Sequence, residues 1–289
     1  MGEWKLTYEG KTHDVWQSPN GRSVALQAKD SVSADDMILE GVTIPDKGVM
    51  STQMSGKWFR LTEHVVPNAV LGIDDEELSP SLRVLPFAGR TIEMLPLKMV
   101  PIEAIIRGYI TGSMWRRYNA GERRFGDCTI PDGLLEAMQL PTPFYTPTTK
   151  EPAGTHDREL SFDDTISVIS KAGFENPREI AEQIRDYSLR LYCFCAGYAK
   201  GRDLILADTK FEFGVDMETG RLYLADEICT FDSSRFWLAE NHKIGHSQEQ
   251  LTTFIIRDWV KQHPGEAVPD EIMRRAEIAY RLLFWRLFN

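Results

Sequence analysis

The sequence predicts a folded protein in which β-strands and α-helices are mixed along the chain. Short strand-like segments and turn residues open it, and residues 204–213 alternate in polarity as a strand does. Apolar residues recur at three- and four-residue spacing after Asn176 and near the end of the chain, as is typical of helices. A length of 289 residues is sufficient for one large domain or two lobes.

Composition argues against several classes of protein. The net charge of −10 disfavours an extended nucleic-acid surface, because phosphate backbones need clustered positive charge. No apolar run approaches the roughly 18 residues of a membrane span, and no signal peptide is recognised, so we expect a cytoplasmic protein without a membrane partner. Four cysteines are too few for a disulfide scaffold, and Cys193 and Cys195 point apart if they lie in one helix.

The first thirty residues predict two strands around a turn at residues 19–21. Gly10 and Lys11 lie between strand segments, where a backbone glycine beside a lysine could cover a phosphate. A surface loop is the alternative interpretation of this single pair. Further along, residues 53–61 have the apolar spacing of an amphipathic helix.

Residues 99–110 are apolar except for Glu103 and Arg107, which predicts a buried strand. A buried arginine requires an anion, and either a phosphate ligand or a salt bridge to Glu103 would meet this requirement. Ser113 is predicted to cap the helix that follows, and the free N–H groups at a helix start favour phosphate or carboxylate.

Residues 121–152 contain five prolines and predict a long surface loop. A capping-box pattern at residues 161–164 predicts a short helix, and Pro177 is placed in the first turn of a longer one. Residues 247–250 are predicted to cap another helix. The final helix has an apolar stripe of Ile272, Ala276, Tyr280, Leu283 and Leu287.

A hairpin is predicted at residues 204–227, and it gathers a lysine and several carboxylates. One face of its first strand carries Asp208, Lys210 and Glu212. The opposite face carries Thr209, Phe211 and Phe213. A three-residue loop at residues 218–220 would place Asp226 opposite Glu212.

Two facing carboxylates repel each other and therefore require a cation. Oxygen ligands beside a phosphate substrate suit Mg²⁺, although Lys210 alone could neutralise one carboxylate. A solvated surface ion pair is the alternative. The apolar residues 204–207 favour a buried strand, where unpaired charge is costly, and therefore a functional site. After the hairpin, residues 232–235 predict a polar loop in which Arg235 is a second candidate anion ligand.

These segments together resemble the phosphoribosylaminoimidazole-succinocarboxamide synthase (SAICAR synthetase) family. The resemblance covers nearly the whole chain. Its specific parts are YEGK near the start, IIRGYITGS, TPTTKE with the nearby HD, LADTKFEFG, and DE followed by DSSRFW.

The resemblance implies an ATP-dependent ligase of purine biosynthesis. Such an enzyme joins L-aspartate to the carboxylate of a phosphoribosyl-aminoimidazole carboxylate through an acyl phosphate, giving an amide, ADP and phosphate. The implied fold is α+β with two lobes: a kinase-like N-terminal antiparallel lobe, residues 1–98, and an ATP-grasp-like C-terminal lobe, residues 99–289. The implied ligands are ATP, Mg²⁺ and the two small-molecule substrates, bound by a monomer or small homo-oligomer.

The resemblance also implies site residues by position. Catalytic roles fall to Lys210, Glu212 and Asp226, and the last two would bind Mg²⁺. ATP contacts fall to Lys11, His13, Leu97, Met99 and Glu103. Substrate contacts fall to Arg107, Ser113, Asp208, Ser234 and Arg235. No Ser-His-Asp or Cys-His constellation is needed, because phosphoryl transfer depends on positioning and charge neutralisation.

The sequence departs from the family pattern at three places. The usual GKAK or GKTK reads GKTH here, so His13 replaces a second phosphate-facing lysine. Pro96 replaces another lysine of the family pattern. The family's DRISAFD-like stretch reads DSVSADD at residues 30–36. Histidine is mostly neutral at pH 7, which predicts weaker triphosphate binding unless another cation compensates. Two alternatives therefore remain: a ligase for another heteroaromatic carboxylate, or a non-catalytic nucleotide-binding protein.

Overall fold

The structure is a computed structural model that describes residues 3–34, 37–150 and 157–289. Asp35 and Asp36 of the DSVSADD stretch and His156 of the HD motif lie outside the described residues. The strands are β1 (Lys5–Glu9), β2 (His13–Gln17), β3 (Val24–Ala28), β4 (Ser31–Ala34), β5 (Met37–Thr43), β6 (Val70–Gly72), β7 (Thr91–Met94), β8 (Lys98–Met99), β9 (Ile102–Tyr109), β10 (Arg124–Phe125), β11 (Cys128–Thr129), β12 (Gln139–Tyr145), β13 (Thr148–Thr149), β14 (Leu204–Val215), β15 (Leu222–Ala225) and β16 (Ser234–Leu238). The α-helices are α1 (Lys47–Thr62), α2 (Gly112–Asn119), α3 (Phe162–Lys171), α4 (Pro177–Lys200), α5 (Phe254–Gln262) and α6 (Asp270–Phe288).

Two antiparallel sheets make up most of the β-structure. The first has the order β1-β2-β3-β7-β6, and the second is a seven-stranded sheet with β14 at its centre. Strand β14 pairs with β9 and β16 along its first half and with β8 and β15 along its second half. The mixture of strands and helices is therefore as predicted, and β14 connects most of the second sheet.

The alternation predicted for the first strand of the hairpin is confirmed. Thr209, Phe211 and Phe213 are buried, and helix α4 packs against this strand, with the rings of Tyr187 and Phe213 6.3 Å apart. The apolar side chains fix the orientation of the strand, because a shift by one residue would exchange its two faces. The charged side chains are consequently held on the opposite face.

The register predicted for the hairpin is wrong by one residue. Glu212 pairs with Ala225, not with Asp226. The loop between Asp216 and Arg221 holds four residues instead of three, and the Gly220 amide donates to the Asp216 carbonyl at 2.8 Å. Asp226 follows the end of β15 in a left-handed conformation with a φ of 58°. That conformation redirects the chain where the sequence predicted a continuing strand.

Strand β9 is less buried than predicted, and the elements that follow it have different boundaries from those predicted. Strand β9 buries only alternate residues, so its other face lines a cleft. Residue Ser113 is the second residue of α2 rather than its cap, which is Thr111. The predicted loop at residues 121–152 contains β12, which pairs with β9. Strand β12 contains Pro141 and Pro143, so its sequence resembled that of a loop.

Three other predicted boundaries are also wrong. Ser234 and Arg235 belong to β16, not to a loop. Residues 247–250 do not start a helix, because the Gln248 side chain is bonded to the backbone of Lys243 and His246, and α5 begins at Phe254. Helix α1 begins at Lys47, six residues before the predicted start, whereas the two strands predicted around the turn at residues 19–21 are confirmed as β2 and β3.

The predicted helix starts at residues 161 and 177 are confirmed. The Ser161 hydroxyl accepts from the Asp164 amide and completes a capping box, and Pro177 opens α4. In α6, Ala276, Tyr280, Leu283 and Leu287 are buried as expected, and Ile272 is partly buried. No helix among residues 3–34, 37–150 and 157–289 has the length and apolar character needed to cross a membrane.

Gly108 provides a test of this packing. A Cβ atom at Gly108 in β9 would lie 1.8 Å from the hydroxyl oxygen of Tyr192, which donates to the Leu206 carbonyl at 2.7 Å. Gly108→Ala should therefore lower the free energy of unfolding by about 2 kcal/mol or more, because the clash displaces a buried hydrogen bond. Urea denaturation followed by circular dichroism measures this change.

Gly197 in α4 is the matched control, because a Cβ atom added there would meet no neighbour within 4 Å outside the adjoining backbone of its own helix. Gly197→Ala should raise the free energy of unfolding by about 0.5–1 kcal/mol through helix propensity. An equal effect of the two substitutions would contradict the packing described for Gly108.

Candidate active site

Two arginines and one aspartate meet across three neighbouring strands. Asp208 of β14 lies beside Arg107 of β9 and Arg235 of β16 in register. The Arg235 Nη1 donates to the Asp208 carboxylate, and the Arg107 Nη1 lies 3.6 Å from the same oxygen, Oδ2. Two cations thus share one anion, so the cluster keeps an excess of one positive charge. Burial lowers the pKa of Arg107, and Asp208 opposes that shift.

This arrangement corrects the partner considered for Arg107. The salt bridge to Glu103 is not formed; Arg107 lies beside Asp208 and donates to the Thr146 hydroxyl at 3.1 Å. The net positive cluster faces a cleft of about 370 Å³ that Ser113 also lines. A phosphate monoester is an appropriate ligand for such a pair of guanidinium groups.

Gly112 allows the second arginine to approach the start of α2. Its φ is 57°, and a Cβ there would lie 2.7 Å from Nη2 of Arg235. The guanidinium also lies 3.6 Å from the centroid of the Phe254 ring, so it is held between backbone and ring. Ser234 is fully buried, and its hydroxyl is 2.7 Å from that of Thr209, whereas its neighbour Ser233 lines the cleft.

A second charged group lies further along β14. The Lys210 Nζ donates to Glu103 at 2.5 Å and to Glu212 at 3.2 Å, and Lys150 donates to the other oxygen of Glu212. Burial alone would lower the pKa of Lys210, but Glu212, Glu103 and Asp226 raise it well above its ordinary value. Lys210 is therefore an ammonium ion at neutral pH.

The pKa values of Glu212 and Asp226 shift in opposite directions, although both carboxyl groups are buried. Lys210 and Lys150 overcome the burial of Glu212 and lower its pKa to about 2. Burial and the charge of Glu212 raise the pKa of Asp226 to about 6. Both carboxyl groups also raise the pKa of Lys150 and of Lys210. The neighbouring Glu227, buried beside Asp226 and Asp232, has its pKa raised to about 8.

The carboxylates at 212 and 226 are suitable for Mg²⁺ together with a nucleotide. Among the residues the structure describes, no three His, Cys, Asp or Glu side chains are grouped to hold a metal. Mg²⁺ commonly takes only one or two protein carboxylates and completes its coordination with phosphate oxygens and water. The donor set of two buried carboxyl groups fits that mode of binding, and it fits no all-protein metal cage.

The loop between β1 and β2 is held tightly against the cleft. The Gly10 amide donates to the His13 carbonyl at 2.9 Å, and a Cβ at Gly10 would lie 2.3 Å from that oxygen. The Ser31 hydroxyl donates to the Lys11 carbonyl at 2.9 Å, and Lys11 lines the cleft. The predicted position of Lys11 beside an anion-binding cleft agrees with this geometry.

A buried ion pair lies beneath this loop. Lys47 of α1 is 1% exposed, with its Nζ 2.5 Å from Asp232 Oδ2 and 2.9 Å from the Ser31 carbonyl. Burial and the charge of Lys47 lower the pKa of His13 to about 4, although Asp232 acts in the opposite direction. His13 is therefore neutral at pH 7, as the sequence indicated.

Leu97 and Met99, two of the residues predicted to contact ATP, lie at the far end of β14. Met99 pairs with Gly214, and a Cβ at Gly214 would lie 2.6 Å from the Cβ of Leu97. Gly214 is two residues beyond Glu212, so its position is on the same side of the strand. The predicted nucleotide contacts are thus adjacent to the predicted metal ligands, although Leu97 and Met99 do not line the 370 Å³ cleft.

Sequence reasoning assigned no role to several residues of this cleft. Lys150 does not line the cleft but contacts Glu212, and its place in the TPTTKE segment was a usable signal. Glu227 lay next to Asp226, and Arg257 lines the cleft from α5, whose start was misplaced. A separate cavity of about 460 Å³ beside Trp237 and Leu251 contains none of the predicted site residues.

Comparisons with known proteins agree with one another. The family model described as SAICAR synthetase matches residues 6–272. A phosphoribosylaminoimidazole-succinocarboxamide synthase of Stenotrophomonas maltophilia is 39% identical over 302 residues, covering 98% of this chain and 93% of that protein. The protein of the same name from Lachnospira eligens is 38% identical, covering 100% of this chain and 98% of that protein.

Solved structures give the same result. The SAICAR-synthase from Saccharomyces cerevisiae, complexed with SAICAR, is 30% identical with a TM-score of 0.82, and the match covers 98% of this chain and 94% of that one. A SAICAR synthetase in complex with ADP, 22% identical with a TM-score of 0.69 over 99% and 97% of the two chains, shares the fold. The chain therefore belongs to the SAICAR synthetase family.

Proposed function

We propose that the protein is an ATP-dependent ligase that joins L-aspartate to the carboxylate of 5-amino-1-(5-phosphoribosyl)imidazole-4-carboxylate. The observation that carries the proposal is the charged face of β14. It presents Asp208 with its two arginines, then Lys210, then Glu212. A phosphate-binding group, an ammonium ion and a carboxylate therefore lie in one line, as coupling of a phosphorylated acid to ATP requires.

The relatives support the same reaction. The curated proteins at 38–40% identity carry the name of the succinocarboxamide synthase, and the yeast structure holds SAICAR, which we propose as the product of this chain. The structure that holds ADP supports a nucleotide substrate. We assign the ribose phosphate to Arg107, Arg235 and Ser113, with Asp208 holding the arginines. Ser233 is better placed than Ser234 to contact the substrate.

Chemically, the reaction has two steps. A carboxylate oxygen of the imidazole substrate forms a bond to the γ-phosphorus of ATP while the bond from that phosphorus to the β–γ bridging oxygen breaks, releasing ADP. The aspartate amine then attacks the acyl carbon, the carbon–oxygen bond to phosphate breaks, and the nitrogen loses a proton. Lys210 would neutralise the transferring phosphoryl group and orient the carboxylate. Mg²⁺, held by Glu212 and Asp226, would reduce the negative charge of the nucleotide.

The nucleotide is assigned to the boundary between two proposed lobes, residues 1–98 and 99–289. The separate β1-β2-β3-β7-β6 sheet supports a kinase-like first lobe, and the β14 sheet supports an ATP-grasp-like second lobe. Lys11 would approach the phosphates, with Leu97 and Met99 beside adenine. Glu103, paired with Lys210, would act on ATP through that lysine. A cytoplasmic location and a monomeric or small homo-oligomeric state remain predictions.

A coupled assay of ADP formation tests the proposal. Wild-type protein should sustain ADP formation over many turnovers only with ATP, Mg²⁺, the imidazole carboxylate and aspartate together. Glu212→Gln should lower kcat by about 100-fold or more, because loss of a metal-binding carboxylate removes several kcal/mol of charge stabilisation. Its melting temperature should change little, since Lys210 keeps Glu103 as a partner. Full turnover without aspartate, or near-normal activity of Glu212→Gln, would contradict these assignments. The alternative, that the enzyme uses another acceptor, is tested by measuring kcat/KM with a panel of other heteroaromatic carboxylates.

Arg235→Ala should raise KM for the imidazole carboxylate by about 10–100-fold, because a charge-assisted hydrogen bond to phosphate is lost. KM for ATP should stay within about twofold, since Lys11 and Lys210 are unaltered. Arg235→Lys should recover only part of the loss, because lysine cannot bind bidentately. Equal increases in the two KM values would remove Arg235 from the proposed phosphate site.

The lowered pKa of His13 predicts a pH dependence of stability. The folded-state pKa of about 4 lies below the ordinary value of 6.5, so the unfolded chain binds the proton more tightly. The contribution of His13 to stability is therefore complete above pH 6.5 and lost as the pH falls towards 4. Relative to His13→Gln, wild-type protein should lose at most about 2 kcal/mol between pH 7.5 and 5, as measured by urea denaturation. Parallel pH profiles of the two proteins would show that the imidazole is not held neutral.

A further inference from the structure

The carbonyl groups of the β1–β2 loop are bound by a short segment to which the proposed function assigns no role. The Nζ of Lys29 donates to the Gly10 carbonyl at 2.9 Å, and the Ser31 hydroxyl donates to the Lys11 carbonyl at 2.9 Å. The Lys29 amide donates to the Thr12 carbonyl at 2.8 Å. Three consecutive carbonyl groups of the loop therefore accept from two residues that follow β3.

Two of these three hydrogen bonds depend on the side chain. The Lys29 amide extends the ladder of β2 and β3, in which His13 pairs with the preceding Ala28, so almost any residue there would form this bond. The bonds from the Lys29 Nζ and the Ser31 hydroxyl need a side-chain donor at each position. The sequence therefore adds two contacts to the loop that strand pairing does not require.

The ammonium group of Lys29 is not placed to bind a ligand directly. Its Nζ lies 2.7 Å from Asp14 Oδ1 and 3.7 Å from Glu9 Oε1, and Glu9 and Asp14 pair with each other where β1 and β2 meet the loop. Lys11 and Thr12 line the 370 Å³ cleft, whereas Lys29 does not. Lys29 can therefore influence the cleft only through the backbone of the loop.

The segment that binds the loop is itself attached to the start of α1. The Ser31 carbonyl accepts from the Lys47 Nζ at 2.9 Å, and Asp30 Oδ1 accepts from the Gly48 amide at 2.8 Å. Lys47 is in turn buried in its ion pair. These bonds make residues 29–31 a fixed support for the loop.

We propose that Lys29 and Ser31 position the β1–β2 loop for contact with the nucleotide phosphates. This inference rests on the proposed function, in which that loop approaches the phosphates of ATP. A carbonyl oxygen is the negative end of its peptide group, so a carbonyl without a donor repels a nearby phosphate. Donors at positions 29 and 31 offset this negative charge and fix the conformation of the loop. Because His13 is neutral, no charge at position 13 compensates for a misplaced loop.

The competing interpretation is that both side chains only stabilise the first sheet. Substitutions would then lower the melting temperature and leave the ligand affinities of the folded protein unchanged. A positioning role instead weakens the binding of ligands that carry phosphates. ADP and adenosine separate the two interpretations, because adenosine has the same base and sugar without phosphate groups.

Equilibrium binding of ADP and of adenosine, each in the presence of Mg²⁺, tests the proposal. Lys29→Met should raise the Kd of ADP about 10-fold, and Ser31→Ala should raise it about 3–10-fold, because each loses one hydrogen bond to the loop. The Kd of adenosine should stay within about twofold in both variants. Lys29→Arg should keep most of the ADP affinity, since a guanidinium group can donate to the same carbonyl.

Two control variants match these substitutions elsewhere in the chain. Lys5→Met removes an exposed lysine from β1 of the same sheet. Ser167→Ala removes a hydroxyl that donates to the Asp163 carbonyl at 2.9 Å in α3. Both should bind ADP and adenosine as the wild-type protein does.

Unchanged ADP affinity in both Lys29→Met and Ser31→Ala, or equal losses for ADP and adenosine, would overturn the positioning role. If Lys29→Met does not fold, Ser31→Ala decides the question, because removing one hydroxyl leaves the ion pairs of Lys29 in place. Absence of ATP and ADP binding by the wild-type protein would instead reject the proposed function itself.

Discussion

The site depends on the two-sided character of β14. Phe211 and Phe213 are fixed in the core, so Lys210 and Glu212 lie on the other side of the strand, where Lys210 lines the cleft and Glu212 is buried beside it. Hydrophobic packing therefore sets the position of groups that it never touches, because slippage by one residue would bury the charges and expose the rings. From Asp208 to Gly214 the strand advances by about 20 Å at roughly 3.3 Å per residue. This one strand therefore sets the spacing between the residues proposed to contact the substrate phosphate, the reacting group and the nucleotide.

Charge on this face is tolerated because each ion has a partner of opposite charge. Asp208 lies between arginines of β9 and β16, and Lys210 lies between Glu103 of β9 and Glu212. Strand pairing places Asp208 directly opposite both arginines, whereas Glu103 reaches Lys210 from a diagonal position, two residues from the one opposite it. The group around Asp208 and the group around Glu212 carry net charges of opposite sign. The arginine group is net positive and favours a phosphate, whereas the carboxyl groups of Glu212 and Asp226 favour a cation.

How far the sequence predicted this site depends on whether local or distant residues decide each feature. Alternation in β14 is local, so Lys210 and Glu212 were placed on the correct face. The register of the hairpin depends on a four-residue loop and on the left-handed Asp226, neither of which has a distinctive pattern. Lys47 and Asp232 are far apart in sequence, and Arg257 reads as a surface residue of an amphipathic helix. These residues are brought together only by the tertiary fold, so the sequence pattern of a single segment cannot reveal their contacts.

The contacts of Glu212 also constrain how a nucleotide and its metal can enter. Both carboxylate oxygens of Glu212 already accept from lysines, so a divalent cation bound there would compete with two ammonium groups for the same carboxylate. Lys210 is retained by Glu103, whereas Lys150 is 42% exposed beside a carboxylate that is 2% exposed. The Lys150 contact is therefore the one that exchanges at lower cost, because its ammonium group regains water when released.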